Sequence, residues 1–416
     1  MLTPKLFTTL RTYDAPTALA DTLAGLTVAL VAIPLSIAIA IASGAEPAQG
    51  LVTAIVAGFL ISALGGSRVQ IGGPTGAFIV VVAGVIGAHG YDGLVIATFM
   101  AGVILIAAAV LRAGRLAAFV PEAVIYGFTI GIAVIIAASQ LKDAFGLTFD
   151  HRADGFADTL AALWQARATV SWRAIAVTAA TMALIILFRR VAPRWPGLIA
   201  AVALGSLLAA ALGGVDTVGS RYGDLPRTLP SPALPELSAA RLTELLPSAL
   251  VIAFLAGIES LLSAMVADRM IRGSHRPAAE LLSQGVANIA SALFGGVPAT
   301  GALARTATNI RAGGRTPVAG MVHALAILLV MYAAAPVAGI MAMPSLAGLL
   351  ILTAWNMSEP EKWQGYLRQN WPDRMLFLMT IALTVMTDLA IAIGAGIAAG
   401  LLLRWLRGRG LVPQGA

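Results

Sequence analysis

The sequence predicts an all-α integral membrane protein with fourteen membrane-spanning segments, arranged as two inverted repeats of seven. Three observations support this prediction: the apolar composition, the placement of the positive charges, and one motif that occurs twice. Of the 416 residues, 59% are hydrophobic and 11% are charged, and the mean hydropathy is +0.88. Soluble proteins carry about 25% charged residues, so this chain cannot cover a water-facing surface. Composition therefore excludes soluble globular, disordered and nucleic-acid-binding proteins.

Apolar segments alternate with helix-breaking residues along the whole chain, and most are long enough for one helix to span a bilayer. We number them as spans one to fourteen. The first seven lie at 22–43, 48–64, 72–88, 93–111, 120–139, 172–188 and 196–213. The second seven lie at 244–267, 278–294, 298–311, 316–334, 335–354, 375–388 and 389–405.

The Lys and Arg residues indicate how these spans are oriented. With both termini placed in the cytoplasm, seven of the 27 Lys and Arg fall in connections on the opposite side. All seven belong to the two longest connections there, around 140–171 and 214–243, and the short ones contain none. Short connections follow the positive-inside rule more strictly than long ones. No cleavable signal peptide precedes span one. We therefore expect a multi-pass protein of the cell (inner) membrane, in contact with the lipid bilayer, with cytoplasmic N- and C-termini.

One motif recurs and indicates an internal duplication. Residues 72–77 read Gly-Gly-Pro-Thr-Gly-Ala and residues 295–302 read Gly-Gly-Val-Pro-Ala-Thr-Gly-Ala, with their Thr-Gly-Ala glycines 225 residues apart. The same offset relates Pro34 in span one to Glu259 in span eight. A repeat with an odd number of spans is inverted in its second copy, as in secondary transporters. The expected organisation is a first repeat at 1–213, an extracytoplasmic connection at 214–243, a second repeat at 244–405 and a cytoplasmic tail at 406–416.

The repeated motif predicts a half-helix in span three and another in span ten. The helices expected from Thr75 to Ala88 and from Gly301 to Arg311 are too short to cross a ~30 Å hydrocarbon core. Extended chain at that depth is tolerated only where protein buries it or where it lines a wet cavity. Helix N-termini carry unpaired N–H groups and a positive dipole end, so two that meet can bind an anion. The alternative is a pair of kinked helices with a purely structural role.

We therefore expect a small anion to bind near the membrane midplane between these two helix N-termini. A bulky side chain at Gly301 is predicted to abolish transport while leaving folding nearly intact. The expected binding residues are Thr75, Gly76 and Ala77 from span three and Gly301, Ala302 and Leu303 from span ten.

Further stretches of the sequence occur in the order of a known family. Span one contains Asp21, Ala24-Gly25-Leu26-Thr27-Val28 and Ile33-Pro34. Spans eight and ten contain Gly257-Ile258-Glu259-Ser260-Leu261-Leu262 and Arg305-Thr306-Ala307-Thr308-Asn309-Ile310. Together with the motif of span three, they resemble the SulP (sulfate permease) family of anion transporters along almost the whole chain. The resemblance implies two intertwined inverted repeats, divided into a core domain and a gate domain. Members of the family move anions such as sulfate, bicarbonate, chloride or dicarboxylates.

The chain also departs from the family pattern. Leu35 stands where members usually have glutamine, and Ile39 stands where an aromatic residue is frequent. We therefore expect span one to give the substrate site a wider and more apolar wall. Members usually continue into a soluble STAS domain, and because this chain ends at Ala416 we expect that domain to be absent. The resemblance is compatible with a homodimer.

Two ionisable residues inside the spans are candidates for function, because a charge at the midplane costs at least ~2.5–3.5 kcal/mol. Glu259 shares a helix face with Ser263, one turn further on. The resemblance implies that these two residues handle the coupling cation. We predict Glu259 as the proton acceptor of a symport with H⁺, with Na⁺ the less favoured ion; the alternative is a structural acid. Arg305 is predicted to be the cation beside the anion, with pairing to Glu259 or extension to the cytoplasmic surface as its alternatives.

The sequence thus predicts secondary active, proton-coupled transport of a small carboxylate or dicarboxylate. Leu35, Ile39 and the single Arg305 favour that substrate over sulfate. The alternatives are a sulfate or bicarbonate transporter coupled to H⁺ or Na⁺, an anion channel, exchanger or electromechanical sensor on the same fold, and a nucleobase permease. Enzyme motifs, cysteines and histidine pairs with metal-ligand spacing are absent from the sequence, so we expect no enzymatic activity, no cofactor and no metal site.

Overall fold

The structure is a computed structural model that describes residues 2–112, 121–149, 155–192, 196–368, 370–387 and 389–408. The end of the predicted cytoplasmic tail, 409–416, lies outside the described residues. The described chain is almost entirely helical and contains one sheet of two very short strands.

The helices and strands are numbered in chain order. The first half contains α1 (Lys5–Thr9), α2 (Ala15–Ala42), α3 (Pro47–Leu64), β1 (Gly72–Gly73), α4 (Phe78–Val110), α5 (Glu122–Phe145), α6 (Phe156–Gln165), α7 (Trp172–Val191), α8 (Gly197–Leu212) and α9 (Val218–Tyr222). The second half contains α10 (Ala239–Ile271), α11 (Pro277–Leu293), β2 (Thr300–Gly301), α12 (Leu303–Arg311), α13 (Val318–Gly339), α14 (Met343–Met357), α15 (Pro360–Leu367), α16 (Trp371–Met386) and α17 (Leu389–Gly408).

These helices confirm the fourteen predicted segments. Seven helices in the described chain are long and apolar enough to cross a bilayer unaided, namely α2, α3, α4, α5, α7, α10 and α13. One of them, the 33-residue α4, holds both span three and span four, because Gly90 interrupts it with φ 72° and ψ 178°. The shorter helices α8, α11, α12, α14, α16 and α17 supply the other six segments.

The boundary between spans eleven and twelve differs from the prediction. α13 continues to Gly339 and α14 begins only at Met343, whereas we predicted that span eleven ends at residue 334. Ala334 leaves helical geometry with φ −135° and ψ 25°, two residues before Pro336. A proline inside a helix removes one backbone hydrogen bond and bends the axis. In α13 it bends the helix without ending it.

The helices form two bundles, which are the core and gate domains expected of the fold. The core domain consists of α2, α3, α4, α10, α11, α12 and α13, which pack mainly on one another. The gate domain consists of α5, α7, α8, α14, α16 and α17. Each bundle takes segments from both halves of the chain. The two inverted repeats are therefore intertwined, and neither half packs as a separate body.

In the core domain α4 and α11 pack closely through two glycines. A Cβ atom added to Gly102 would lie 2.6 Å from the carbonyl oxygen of Gly285. A Cβ atom added to Gly285 would lie 2.7 Å from the carbonyl oxygen of Gly102. Membrane helices approach this closely only where both faces carry small residues.

A buried carboxylate ties the first core helix to the start of α13. Asp21 is fully buried in α2 and accepts hydrogen bonds from the backbone N–H groups of Arg315, at 2.7 Å, and Thr316, at 3.1 Å. The Thr316 hydroxyl also donates to Asp21. These bonds give partners to backbone donors that precede α13 and would otherwise be unpaired.

The two repeated motifs meet in the sheet. β1 and β2 are antiparallel, with Gly72 opposite Gly301 and Gly73 opposite Thr300. A helix follows each strand, and α12 has only nine residues, about 13 Å of helix. The predicted arrangement of extended chain followed by a half-helix is therefore confirmed for spans three and ten.

The glycine contact between α4 and α11 predicts a position-dependent effect on stability. Gly102→Ala should lower the free energy of unfolding by about 1–3 kcal/mol, because its methyl group meets backbone atoms that cannot yield. Gly87→Ala on the same helix should leave stability unchanged or slightly higher, since nothing lies within 4 Å of a Cβ there. Thermal unfolding of both variants in one detergent would measure the difference. Equal melting temperatures would contradict the close packing.

Candidate functional site

Side chains supply hydrogen bonds to the extended segment that leads into α12. The Val297 N–H donates to the Thr53 hydroxyl of α3 at 2.7 Å. The Asn288 side chain of α11 makes two hydrogen bonds with the backbone of Ala299. Asn288 Nδ2 donates to the Ala299 oxygen, and the Ala299 N–H donates to Asn288 Oδ1, each at 2.9 Å. All four residues are buried. Backbone groups at this depth need such partners because lipid offers none.

The segment that leads into β1 is held by α12 in return. The Ile71 N–H donates to the Thr306 hydroxyl at 3.1 Å, and the Ala302 N–H donates to the Ile71 oxygen at 2.8 Å. The Asn309 side chain donates to the Val69 oxygen at 2.9 Å. The half-helix of the second repeat is therefore fastened to the extended chain of the first. Spans three and ten form one unit.

The half-helix N-termini carry no side-chain caps. Ala77 precedes α4 and Ala302 precedes α12, and a methyl group cannot accept a hydrogen bond from the first N–H groups. Gly76 is partly exposed, and a Cβ atom there would meet only Met357 Sδ at 3.7 Å and Ile136 Cδ1 at 3.8 Å. The positive end of α4 therefore faces α14 and α5 of the gate domain.

A carboxylate lies beside this helix end. The Thr75 hydroxyl donates to Glu259 Oε2 at 2.9 Å, which connects the start of the half-helix to the middle of α10. Thr75 is buried, whereas Glu259 keeps part of its surface accessible. Among the described residues this is the one hydrogen bond of the Glu259 side chain. The structure thus brings together an accessible acid and the motif of span three.

Arg305 lies behind the two strands and has 1% of its surface exposed. Its Nη2 donates to the Pro74 oxygen at 2.9 Å and to the Ser36 hydroxyl at 3.2 Å. Within the described chain its Nε and Nη1 have no hydrogen-bond partner, and no carboxylate oxygen lies within 4.0 Å. Arg305 therefore neither extends to the surface nor forms a contact pair with Glu259.

Several predicted site residues lie elsewhere than expected. Leu35 and Ile39, with 8% and 2% of their surface exposed, are packed in the hydrophobic core, and the wide apolar wall expected from span one stays a prediction. Ser263 is buried, and its hydroxyl makes no hydrogen bond to any residue that the structure describes. It lies one turn from Glu259 but is not bonded to it.

Gly301 faces the interior of the core domain. A Cβ atom at Gly301 would collide with the side-chain amide of Gln70 and lie 3.1 Å from the Ser260 hydroxyl. The expectation that a bulky residue at Gly301 leaves folding nearly intact is therefore wrong. The Ala302 amide is already used by Ile71, so the first amide of span ten that can face an anion belongs to Leu303, which is 40% exposed.

Sequence reasoning missed Gln70 and Glu280. Both are buried, and Gln70 Nε2 donates to Glu280 Oε1 at 2.9 Å and to the Ser260 hydroxyl at 2.8 Å. One signal was available in the sequence, since Glu280 falls inside the predicted apolar segment 278–294. Gln70 could not be identified as its partner because the two residues are 210 positions apart.

The architecture defines the class of protein. Intertwined inverted repeats, a core and a gate domain, and two half-helices that meet inside the core are the features of a secondary transporter. The half-helices present N-termini, which suit an anion.

Comparisons with known proteins identify the family. The model of the sulfate permease family matches residues 19–380. The putative sulfate transporter YvdB of Bacillus subtilis is 44% identical over 388 residues, which cover 93% of this chain and 72% of that protein. The bicarbonate transporter BicA of Synechocystis is 33% identical and covers 91% and 68%, respectively. The structure of the transmembrane domain of a cyanobacterial BicA aligns with a TM-score of 0.81 at 29% identity, over 94% of this chain and 98% of that one. The chain belongs to the sulfate permease family of anion transporters, and it is not an enzyme.

The space in front of Gly76 predicts a blocking substitution. Gly76→Leu should reduce anion uptake by at least about tenfold, because the side chain fills the gap between α4 and the gate helices. Thermal unfolding should change little, since a Cβ atom there makes only ordinary contacts. Uptake into proteoliposomes measures the effect. Gly84→Leu is the control on the same helix, at an exposed position with nothing within 4 Å. Equal uptake by the two variants would contradict this location.

Proposed function

We propose that the protein moves a small inorganic oxyanion across the membrane together with a proton, with sulfate as the first candidate and bicarbonate as the second. Transport follows alternating access, in which the core domain moves against the gate domain. The distribution of Lys and Arg supports a location in the cell (inner) membrane with both termini in the cytoplasm.

An inorganic oxyanion replaces the carboxylate suggested by the sequence. That preference rested on a wide apolar wall and on an Arg305 that could contact the substrate. Leu35 and Ile39 are buried, and Arg305 is covered by the strands. Neighbouring family members carry names that refer to sulfate and bicarbonate. A compact anion bound by backbone N–H groups agrees with both observations.

The charges around the site suit a dianion when Glu259 is protonated. Each helix N-terminus contributes roughly half a positive charge and Arg305 contributes one, which gives about two units. An ionised Glu259 reduces this to about one. A proton on Glu259 therefore favours binding of sulfate, and sulfate favours binding of the proton, because coupling between two binding sites is reciprocal.

The hydrogen bond between Thr75 and Glu259 is the observation that carries this proposal. It links the Glu259 carboxylate, through the Thr75 hydroxyl, to the chain just before the uncapped end of α4. Glu259 is less deeply buried than Asp21 or Glu280 and accepts a single hydrogen bond, which agrees with an acid that exchanges its proton. An acid buried on all sides could not exchange its proton during each transport cycle.

Bicarbonate is the second candidate because of the similarity to BicA. A monoanion matches the site when Glu259 is ionised and the net charge is about one. Uptake of bicarbonate would then use Na⁺, for which the Glu259 carboxylate and the Thr75 hydroxyl offer oxygen ligands. The two candidates therefore differ in the ion that drives uptake.

Glu259→Gln tests the coupling. The amide imitates the protonated acid, so the variant should lose accumulation driven by a proton gradient and keep exchange of internal for external sulfate. Labelled sulfate uptake into proteoliposomes, with and without an imposed gradient, measures both. Glu244→Gln is the control, since Glu244 lies on the same helix and is half exposed. A Glu259→Gln protein that still concentrates sulfate would exclude this residue as the proton carrier.

A competition assay tests the substrate. Unlabelled sulfate should inhibit labelled sulfate uptake at the lowest concentration, bicarbonate at a higher one, and fumarate and succinate only weakly. The physical reason is the compact site, in which backbone amides and not a guanidinium contact the anion. Stronger inhibition by succinate than by sulfate would restore the dicarboxylate assignment. Flux that does not saturate and never exceeds equilibrium would indicate a channel.

A further inference from the structure

We propose that Glu280 is a positioning residue for the anion site. It holds Gln70 against Gly301, and this contact fixes the two strands relative to α10, which carries Glu259. The proposal rests on the proposed function, because it takes the strands as the frame of the anion site.

One oxygen of Glu280 holds the segment between α3 and β1. Glu280 is fully buried in the first turn of α11. Its Oε2 accepts hydrogen bonds from the backbone N–H groups of Gly66, at 2.9 Å, and Ser67, at 3.2 Å. These two groups belong to irregular chain that leads into β1, so the carboxylate anchors that segment to α11.

The other oxygen of Glu280 gathers side chains from three parts of the core domain. Oε1 accepts from Gln70 Nε2 at 2.9 Å, from the Ser260 hydroxyl at 2.8 Å and from Gln284 Nε2 at 3.1 Å. Gln70 precedes β1, Ser260 follows Glu259 in α10, and Gln284 lies one turn further along α11. Glu280 Oε1 therefore joins the segment that leads into β1 to α10, the helix that carries Glu259.

Gln70, which Glu280 holds in place, contacts span ten at Gly301. Its amide nitrogen occupies the space that a side chain at residue 301 would need, so the Cα of Gly301 rests against it. Gly301 in turn pairs with Gly72 across the sheet. If Gln70 moves, Gly301 loses this packing contact just before α12. The distance between the N-termini of α4 and α12 is then no longer fixed.

The arrangement requires a carboxylate. Five donors converge on the two oxygens, and among the described residues no Lys, Arg or His nitrogen lies within 4.0 Å. Charge-assisted hydrogen bonds of this kind are stronger than neutral ones. A glutamine at residue 280 would turn an N–H₂ group toward donors. Because each oxygen already accepts at least two bonds, Glu280 differs from Glu259, which accepts one and remains accessible.

Transport kinetics test the proposal. Glu280→Gln should raise the KM for sulfate uptake by about tenfold, since the N–H groups that face the anion are displaced. Accumulation driven by a proton gradient should remain at saturating sulfate, because Glu259 is intact. Gln70→Ala should raise KM similarly, although it leaves every ionisable group in place. The KM value, measured on folded protein in proteoliposomes, is independent of how much protein is lost to unfolding.

Asp21→Asn is the matched control. Asp21 is an equally buried carboxylate of the core domain, but it holds α2 to the start of α13 and has no bond to the strands. It should lower the melting temperature without changing KM. A second test is the pair Gly301→Ala and Gln70→Ala. Since truncation of Gln70 makes room for the methyl group, Gly301→Ala should lower the melting temperature less in the Gln70→Ala protein than in the wild type.

The outcomes separate the two proposals. Wild-type protein without saturable anion uptake would overturn the proposed function, and this inference with it. Saturable wild-type uptake together with the same KM in Glu280→Gln, Gln70→Ala and Asp21→Asn would overturn the positioning role alone. An equal effect of Gly301→Ala on the melting temperature in the wild type and in Gln70→Ala would refute the contact between Gln70 and Gly301.

Discussion

The structure depends on one constraint: extended backbone inside a membrane protein must find hydrogen-bond partners within the protein. Spans three and ten both contain such backbone, and side chains of the core domain satisfy it, some from the same repeat and some from the other. Thr306 and Asn309 of span ten bond the leader of span three. Thr53 and Asn288 bond the leader of span ten. The arrangement that meets this constraint also brings the two half-helices together and leaves their N-termini uncapped. The location proposed for the anion site thus follows from the way in which the backbone is satisfied.

The charged residues of the core domain differ in how tightly they are held, and this difference assigns their roles. Glu280 accepts five hydrogen bonds and Asp21 accepts three, and both are fully buried. These two are held rigidly and connect elements of the core domain. Arg305 is buried too, but only its Nη2 is bonded, so most of its field is uncompensated within the described chain. Glu259 has a single bond and an accessible surface. Of these four described residues, Glu259 is the carboxylate that is not held in a network, which agrees with its proposed role as the proton carrier.

The sequence was sufficient for features that depend on local pattern. Apolar length predicted fourteen segments, and the Gly-Pro motif predicted extended chain before two half-helices, because both follow from chain geometry. The sequence was insufficient where the rotation of a helix about its axis determines which side chains are buried. Leu35 and Ile39 are buried because the face of α2 that carries them is turned toward the core. The residue types alone do not indicate this orientation. Glu280 and Gln70 are 210 residues apart, so no local pattern could pair them. We predicted that span eleven ends at residue 334, whereas α13 continues past Pro336 to Gly339.

The bonds around the site also indicate which parts move together. Every hydrogen bond that fixes the two strands joins elements of the core domain, and the α4–α11 glycine contact makes that domain dense. Toward the gate domain, Gly76 has only Met357 and Ile136 within 4 Å of a Cβ atom, both apolar groups at ordinary contact distance. Apolar contacts without directional bonds can slide, whereas a satisfied polar network resists deformation. The residues of the proposed site, including Glu259, therefore belong to the core domain, and relative motion is expected along the surface between Gly76 and the gate helices.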